Sequence, residues 1–224
     1  MKKIAIILSG CGNRDGSELQ ETLSLMLAID KRGWEYQCFA PEGFFEVVPY
    51  TEQQEDDLEE GSLVDTEQRD IFEESARIAR GNIKPVSEYR VADYDALALP
   101  GGMGAARNLS SYAFDGPNML VIDDVADAIL ATYRAEKPVM AMCIAPMVLA
   151  KVLGRYGVEI TLGKNDCTAA EVARQLGAKT VECTATEAYE DREHRVYTTP
   201  AYMVGSRISE IFAGAEKLVS LIED

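Results

Sequence analysis

The stretch "KIAIILSGCGNRDGSELQETLSLMLAIDKRG" (residues 3–33) contains the pattern that decides the fold. It opens with the apolar run "KIAIIL" (3–8), which is typical of a buried strand. A glycine-rich loop follows, and the apolar residues beyond it recur at helical spacing: Leu19, Leu23, Met26, Leu27 and Ile29. Ser17 and Gln20 resemble a capping box. We therefore predict a strand, a loop and a helix that begins near Ser17.

The same alternation continues along the chain. Further strands are predicted near 34–41, 83–86, 95–102, 138–142, 158–162, 180–183 and 195–199. Further helices are predicted over 66–80, 121–135, 146–154, 168–176 and 206–222. Because parallel strands need crossover connections, this order indicates an α/β fold, with a mostly parallel sheet covered by helices on both faces. We predict a single domain over 1–224, with an acidic hairpin or loop insertion around 42–65.

Composition excludes several classes of protein. The net charge of −16 would repel the phosphates of nucleic acid and an anionic membrane surface. No apolar run approaches the roughly 18 residues of a membrane span. The five cysteines are odd in number and form no C-x-x-C pair, which is typical of reduced thiols and not of a disulfide scaffold or zinc site. We expect a cytoplasmic protein that binds neither nucleic acid nor membrane.

Three segments are predicted to meet at the carboxyl edge of the sheet, where ligands bind in such folds. They are "SGCGNRDGSE" (9–18), "PGGMGAARNLS" (100–110) and "MCIAP" (142–146). The glycines of the first segment are spaced one residue too far apart for a dinucleotide fingerprint, and the second strand ends without an acidic residue. A nucleotide-binding dehydrogenase is therefore disfavoured, and we predict no cofactor and no metal.

Cys143 ends the apolar run in "VMAMCIAPMV" (139–148) and has two interpretations. It could be an inert buried thiol, since free cysteine is often buried as a small apolar residue. It could also be a nucleophile at a strand-to-helix junction, where the helix dipole would lower its pKa below the ordinary value of roughly 8.5. The backbone N–H of Ile144, with one from the Gly101–Gly102 turn, could then hold an oxyanion. Position alone does not decide between the two.

The choice of base is restricted by composition. The chain has one histidine, His194, which we expect in an exposed turn within "EDREHRVY" (190–197). Glu18 should reach the same edge as Cys143, and desolvation would raise its pKa into the range useful for general acid/base chemistry. Glu18 could instead serve only the helix N-terminus. Cys11 lies on the same loop and is a possible pocket residue or resolving thiol.

Five ordered motifs resemble the ElbB-like isoprenoid-biosynthesis glyoxalase family: "LSGCGNRDGSE", "ARIARG", "LPGGMGAARNLS", "MCIAP" and "TTPAYM". That family is a branch of the class I glutamine amidotransferase-like superfamily, which also holds the PfpI proteases. The resemblance implies a flavodoxin-like three-layer sandwich, with Cys143 on a nucleophile elbow beside Glu18 and Gly102 and Ile144 forming the oxyanion hole. It also implies a cofactor-free glyoxalase-type lyase of the hydro-lyase class, acting on small dicarbonyls, and a homodimer.

Departures from the wider superfamily restrict the activity further. Glutaminase members use a Cys-His-Glu triad, and PfpI members carry His directly after the nucleophile, where this chain has Ile144. Glutamine hydrolysis and proteolysis are therefore disfavoured. We expect slow conversion of glyoxal to glycolate by a Cys/Glu mechanism, because a two-carbon substrate offers little binding energy. The alternative is a weakly catalytic or non-catalytic sensor of oxidants or carbonyl stress that uses a reactive Cys143.

Overall fold

The computed structural model describes residues 1–51 and 67–223. Eleven β-strands lie in these ranges: β1 (Lys3–Ile7), β2 (Glu35–Ala40), β3 (Phe44–Glu46), β4 (Gln68–Asp70), β5 (Ile83–Pro85), β6 (Ala96–Leu99), β7 (Val139–Met142), β8 (Glu159–Gly163), β9 (Lys179–Glu182), β10 (Tyr189–Asp191) and β11 (Val196–Thr199). Seven of them form the central sheet in the order β10-β11-β7-β6-β1-β2-β5. All its pairs are parallel except β10–β11.

Eight α-helices lie in the same part of the chain: α1 (Leu19–Asp30), α2 (Ile71–Ile78), α3 (Met103–Arg107), α4 (Tyr112–Asp115), α5 (Asp123–Arg134), α6 (Pro146–Leu153), α7 (Thr168–Gln175) and α8 (Ile208–Ser220). The strand order runs one way from β1 to β2 and the other way from β6 to β7. Right-handed crossovers therefore place α1 and α5 on opposite faces of the sheet. The predicted flavodoxin-like three-layer sandwich is confirmed.

Strands β1, β6 and β7 form the core of the molecule. Every residue of β6 and β7 is buried, and so are Ile4 to Ile7 of β1. Strands that are covered on both faces have continuous apolar sequences, which is why these strands could be predicted from apolar runs in the sequence. No helix in the described ranges is long and apolar enough to cross a membrane.

Some predicted boundaries were wrong. The stretch predicted as a helix over 66–80 forms strand β4 first and becomes helical only at Ile71, because Asp70 caps α2 through a bond from the Glu73 amide at 3.0 Å. The predicted strands near 158–162 and 180–183 exist as β8 and β9, but they pair in a separate sheet. Of the predicted insertion over 42–65, residues 44–46 form β3, which pairs with β4, while the acidic run at 52–60 lies outside the described residues.

Helix α1 presents an unexpected face to the protein. It begins at Leu19, and its N-cap is Glu18, one residue after the predicted cap Ser17. Three of the apolar residues used to predict the helix face solvent: Leu19, Leu23 and Leu27 are 40, 53 and 48% exposed. Glu21, Thr22 and Ser24 are buried instead, on the side that packs inward together with Leu25 and Ile29. The helix therefore carries a buried carboxyl group near its start.

Candidate active site

The strand order of the central sheet reverses between β1 and β6, and this is where open α/β sheets bind ligands. The loops that leave the carboxyl ends of β1, β6 and β7 meet there, and backbone hydrogen bonds join the first two. The amide of Glu18 donates to the carbonyl of Gly101 at 2.9 Å, and the amide of Gly104 donates to that of Gly16 at 2.9 Å. These bonds fix the start of α1 against the loop that follows β6.

Cys143 occupies a sharp turn between β7 and α6. Its φ of +58° lies in the left-handed region, which a residue with a side chain enters only where the surroundings impose it. One such restraint is the bond from its amide to the carbonyl of Thr199 at 2.9 Å. Pro146 begins α6 three residues later. The turn holds the thiol at the carboxyl edge of the sheet, where it is 9% exposed.

Two backbone amides face the sulfur of Cys143, those of Gly102 and Ile144. Gly102 has a φ of +96°, and a Cβ there would lie 2.3 Å from the carbonyl oxygen of Gly16. Only glycine fits this position, so the glycine pair lets the backbone approach both Cys143 and the start of α1. Both residues predicted to form an oxyanion hole therefore lie beside the sulfur.

The carboxyl group next to Cys143 belongs to Glu21 and not to Glu18. The side chains of Glu21 and Cys143 both lie against Gly101, and each shifts the pKa of the other. Glu18, predicted for this role, lies one helical turn earlier, and its Oε2 accepts the backbone N–H of Glu21 at 2.6 Å as the N-cap of α1. The prediction failed because Glu18 is itself the N-cap of α1 and its carboxyl group binds the helix backbone, while Glu21 is on the buried side of the helix.

Backbone groups orient the Glu21 carboxyl from two sides. Oε2 accepts the amide of Gly101 at 3.0 Å, and Oε1 accepts the amide of Tyr202 at 3.3 Å. Gly101 also lies between Glu21 and the thiol, and because it has no side chain, only its backbone separates the two groups. A Cβ at Gly101 would lie 2.4 Å from Oε2 of Glu21 and 2.3 Å from Cβ of Cys143. The carboxyl–thiol contact therefore depends on the glycine.

Burial determines the protonation of the pair. Burial, and secondarily the negative charge of Glu18, raises the pKa of Glu21 to about 8. Burial also raises the pKa of Cys143 well above its ordinary value, and the charge of Glu21 adds to this effect, while the amides of Gly102 and Ile144 oppose it. The expectation of a lowered thiol pKa is wrong, because desolvation outweighs the two amide dipoles. Near neutral pH both groups hold their protons.

A cavity of about 620 Å³ opens above Cys143. It is lined by residues from the three loops, from the start of α1 and from the turn after β11: Asn13, Glu18, Gln20, Gly102, Met103, Cys143, Ile144, Tyr202 and Met203. The side chain of Tyr202 donates a hydrogen bond to Gln20, which closes one wall. Glu18 therefore belongs to the cavity even though it is not the partner of the thiol.

Two other predicted residues lie apart from this cavity. Cys11 is half-buried and does not line it; the charged groups around Cys11 include Glu74 and Arg77 of α2. His194 lies at the amino end of β11, on the opposite edge of the sheet from Cys143. Its side chain is 14% exposed, so the expectation of an exposed turn is wrong, and its Nδ1 bonds to Asp191 at 2.8 Å. Neither residue lines the cavity or contributes to the pKa shift of Glu21.

Sequence reasoning missed Glu21, although a signal was present. Residues 21, 25, 28 and 29 follow helical spacing, and three of these positions are the apolar Leu25, Ala28 and Ile29. An acidic residue within such a stripe indicates a buried carboxyl group.

Residues 1–51 and 67–223 hold no group of His, Cys, Asp or Glu side chains that could bind a metal ion.

Solved structures share this fold. An isoprenoid biosynthesis protein with an amidotransferase-like domain from Ehrlichia chaffeensis superposes with a TM-score of 0.85 and 32% identity, over 98% of this chain and 97% of that one. Glyoxalase III from Candida albicans superposes with a TM-score of 0.59 and 20% identity, over 99% of this chain and 98% of that one, which shows the shared fold. The fold is that of an amidotransferase-like domain.

Curated relatives define the family more narrowly. The mitochondrial ES1 protein homolog of Rattus norvegicus is 36% identical over 98% of this chain and 82% of its own length. The human mitochondrial glutamine amidotransferase-like class 1 domain-containing protein 3 is 36% identical over 97% of this chain and 81% of its own length. No family model matches the chain. The chain belongs to the ES1 family of glutamine amidotransferase-like class 1 proteins.

Proposed function

We propose that the protein is a cofactor-independent glyoxalase that converts glyoxal and related small dicarbonyls to glycolate and other 2-hydroxy acids. The observation behind the proposal is the contact between the Glu21 carboxyl and the Cys143 thiol at the base of a cavity. A nucleophile beside a carboxyl group of raised pKa is suited to addition to a carbonyl followed by proton transfer. The fold shared with glyoxalase III is compatible with this chemistry.

The reaction starts when the Cys143 sulfur adds to one aldehyde carbon and Glu21 takes the thiol proton. The resulting hemithioacetal oxygen lies beside the amides of Gly102 and Ile144, which stabilise its negative charge. Glu21 gives that proton to the hemithioacetal oxygen and, again a carboxylate, removes the hydrogen from the same carbon to form an enediolate. Glu21 then delivers this proton to the second carbon, while the proton on the first oxygen passes to the second oxygen. The product is a glycolyl thioester of Cys143. Water hydrolyses the thioester to glycolate and restores the thiol, so no electrons leave the substrate.

The pair needs to lose one proton before the sulfur can attack. With the pKa of Glu21 at about 8, most molecules near neutral pH hold both protons. The singly protonated pair, in which Glu21 can accept the thiol proton, becomes more populated as pH rises through that value. Turnover should therefore be slow at neutral pH and increase toward mildly alkaline pH.

Glutaminase and protease activities fit the residues less well. Both would use a histidine as the base beside the cysteine, and the single histidine of the sequence, His194, lies at the opposite sheet edge. The amidotransferase-like name of the relatives therefore describes shared ancestry of the fold and not an activity proposed for this chain.

The alternative of an oxidant sensor is less well supported. The thiolate is the form that reacts with peroxide, and burial raises the pKa of Cys143. Cys11, proposed as a resolving thiol, does not line the Cys143 cavity. The homodimer expected from the resemblance and the cytoplasmic location remain predictions; the curated relatives are named as mitochondrial.

The test is glyoxal turnover by the purified protein without glutathione and in the presence of a chelator, with glycolate measured directly. Cys143→Ser should reduce turnover by at least about a thousandfold, because the hydroxyl is a far weaker nucleophile. The matched control is Cys38→Ala, since Cys38 is also a buried cysteine but lies on β2. Glycolate formation that persists in Cys143→Ser and is lost in Cys38→Ala would refute the proposal.

A further inference from the structure

The cavity above Cys143 is much larger than the smallest substrate requires. Cavities of about 300–1,000 Å³ accommodate drug-sized molecules. This cavity, of about 620 Å³, falls in the middle of that range. A two-carbon dialdehyde bound at the sulfur would leave most of the volume to solvent. The cavity therefore has room for an arm attached to the reacting carbonyl.

The cavity presents apolar surface for such an arm. The lining residues with large apolar side-chain surface are Met103, Ile144, Tyr202 and Met203. Methionine side chains adapt to irregular apolar groups, and a tyrosine ring can pack against an apolar or a cationic group. The arm should therefore have an apolar body.

The charge of the cavity indicates which charged group the end of the arm should carry. Among the residues of 1–51 and 67–223 that line the cavity, Glu18 is the one with a carboxylate, and none is Lys, Arg or His. The ion pairs found among the described residues do not include Glu18. The N-cap bond to the Glu21 amide uses Oε2 of Glu18. A half-buried carboxylate that has no basic partner in the described part of the chain attracts a cation, and the net charge of −16 adds to this preference.

From this arrangement we propose that the site prefers ligands with an apolar body and a positively charged group, which Glu18 binds. Combined with the proposed function, on which this step rests, the preferred substrate is a 2-oxoaldehyde whose arm carries an ammonium-type cation. The carbonyl lies at Cys143, the body lies against Met103, Tyr202 and Met203, and the cation lies at Glu18. Anionic dicarbonyls of the same size are poor substrates.

Protection of Cys143 from alkylation tests the ligand preference without requiring turnover. Benzyltrimethylammonium, benzyl alcohol and benzylsulfonate provide a cation, a neutral molecule and an anion with the same ring. Iodoacetamide modification at Cys143 is followed by mass spectrometry at several concentrations of each. We expect the cation to protect at a concentration at least about tenfold lower than the neutral ligand, and the anion to protect least.

Two variants assign the preference to Glu18. Glu18→Gln should remove the tenfold difference between cation and neutral ligand, while Asp30→Asn should keep it. Asp30 is exposed at the other end of α1, so its replacement changes the net charge equally without touching the cavity. Equal protection by all three ligands, protection by none, or a cation preference that survives in Glu18→Gln would each overturn the proposal.

A substrate series separates this inference from the proposed function. Phenylglyoxal is compared with its para-trimethylammonium and para-carboxylate derivatives, and kcat/KM should decrease in the order cation, neutral, anion. Absence of any dicarbonyl turnover together with cation-selective protection would refute the glyoxalase and keep the ligand preference. Turnover that does not depend on the charge of the substrate would support the glyoxalase and refute the ligand preference.

Discussion

The two edges of the central sheet each hold a pair of titratable side chains, and the pairs differ in their surroundings. At the carboxyl edge, Glu21 and Cys143 are buried and are bonded by backbone amides. At the amino edge, Asp191 bonds to the His194 ring, but also to the amides of Glu159 at 2.8 Å and His194 at 3.2 Å. The Asp191 carboxylate thus holds together a turn and the start of β8.

The cavities beside the pairs differ as well. The one at the amino edge, of about 470 Å³, is lined by both basic and acidic side chains: Arg134, Glu136, Arg192, Glu193 and Arg195, with Tyr133 and His194. These charged side chains are exposed and of both signs, and Arg192 pairs with Glu190 beside the cavity at 2.8 Å, which leaves no single reactive group. An acid–histidine contact is therefore weaker evidence of a catalytic site than a less familiar pair placed where the strand order reverses.

The strongest test of this comparison exchanges the carboxyl group of Glu21 for an amide. Glu21→Gln should lower glyoxal turnover by at least about a thousandfold, because an amide cannot move protons between the two carbons. Glu18→Gln is the matched control and should retain measurable turnover. Its pH–rate profile should move to lower pH, because the Glu18 charge contributes to the raised pKa of Glu21. Equal losses in both variants would return the catalytic role to Glu18.

Stability should also depend on pH through Glu21. The pKa of this group is about 8 in the folded protein and near 4.5 in the unfolded chain, so the folded state binds the extra proton between these values. The stabilising contribution is complete below about pH 4.5 and is lost as pH rises through 8, at about 1.4 kcal/mol per pH unit. Urea unfolding of the wild type and of Glu21→Gln at several pH values measures this contribution as the difference between their unfolding free energies. If the difference does not change with pH, Glu21 is ionised throughout and the prediction is wrong.

Removing the backbone amide of Ile144, also at the carboxyl edge, should reduce turnover less than the loss of the Glu21 carboxyl group does. Ile144→Pro removes the N–H and should cost about a hundredfold in turnover, as expected for the loss of one oxyanion donor. Ile144→Val keeps the N–H and should be nearly silent. Circular dichroism has to show a native spectrum for the proline variant. Equal rates in the two variants would remove this amide from the mechanism.

The smallest effect is expected at the amino edge. His194→Ala should leave glyoxal turnover within a factor of about two, because His194 and Cys143 lie at opposite ends of the strands. It should cost about 1 kcal/mol of unfolding free energy, since the bond to Asp191 is lost. A hundredfold loss of turnover with intact folding would mean that the Cys143–Glu21 assignment omits the true base.

The sequence predicted the sheet and the place of the thiol because both depend on short, local patterns. Buried parallel strands such as β7 are uninterrupted apolar runs, and a cysteine at the end of such a run necessarily lies at the sheet edge. The glycine pair at 101–102 marked the close backbone approach in the same way. These features need no knowledge of the neighbouring elements.

The identity of the carboxyl partner depended on tertiary packing and was missed. The spacing of Leu19, Leu23 and Leu27 favoured the wrong inward face for α1, because these three leucines are exposed. The carboxyl group of Glu18 binds a backbone amide of α1 as its N-cap, so Glu21 and not Glu18 meets the thiol. The raised pKa of Cys143 was missed for a similar reason, since the depth of burial cannot be deduced from position along the chain.

The left-handed backbone of Cys143 implies a conflict between stability and activity. A residue with a side chain at a φ of +58° costs on the order of 1 kcal/mol or more, which glycine would avoid. Selection for thermal stability alone would thus replace this cysteine by glycine, and a lineage that stopped using the thiol would gain by the exchange. If the thiol carries the proposed reaction, its benefit to the cell has to exceed the cost of this backbone strain.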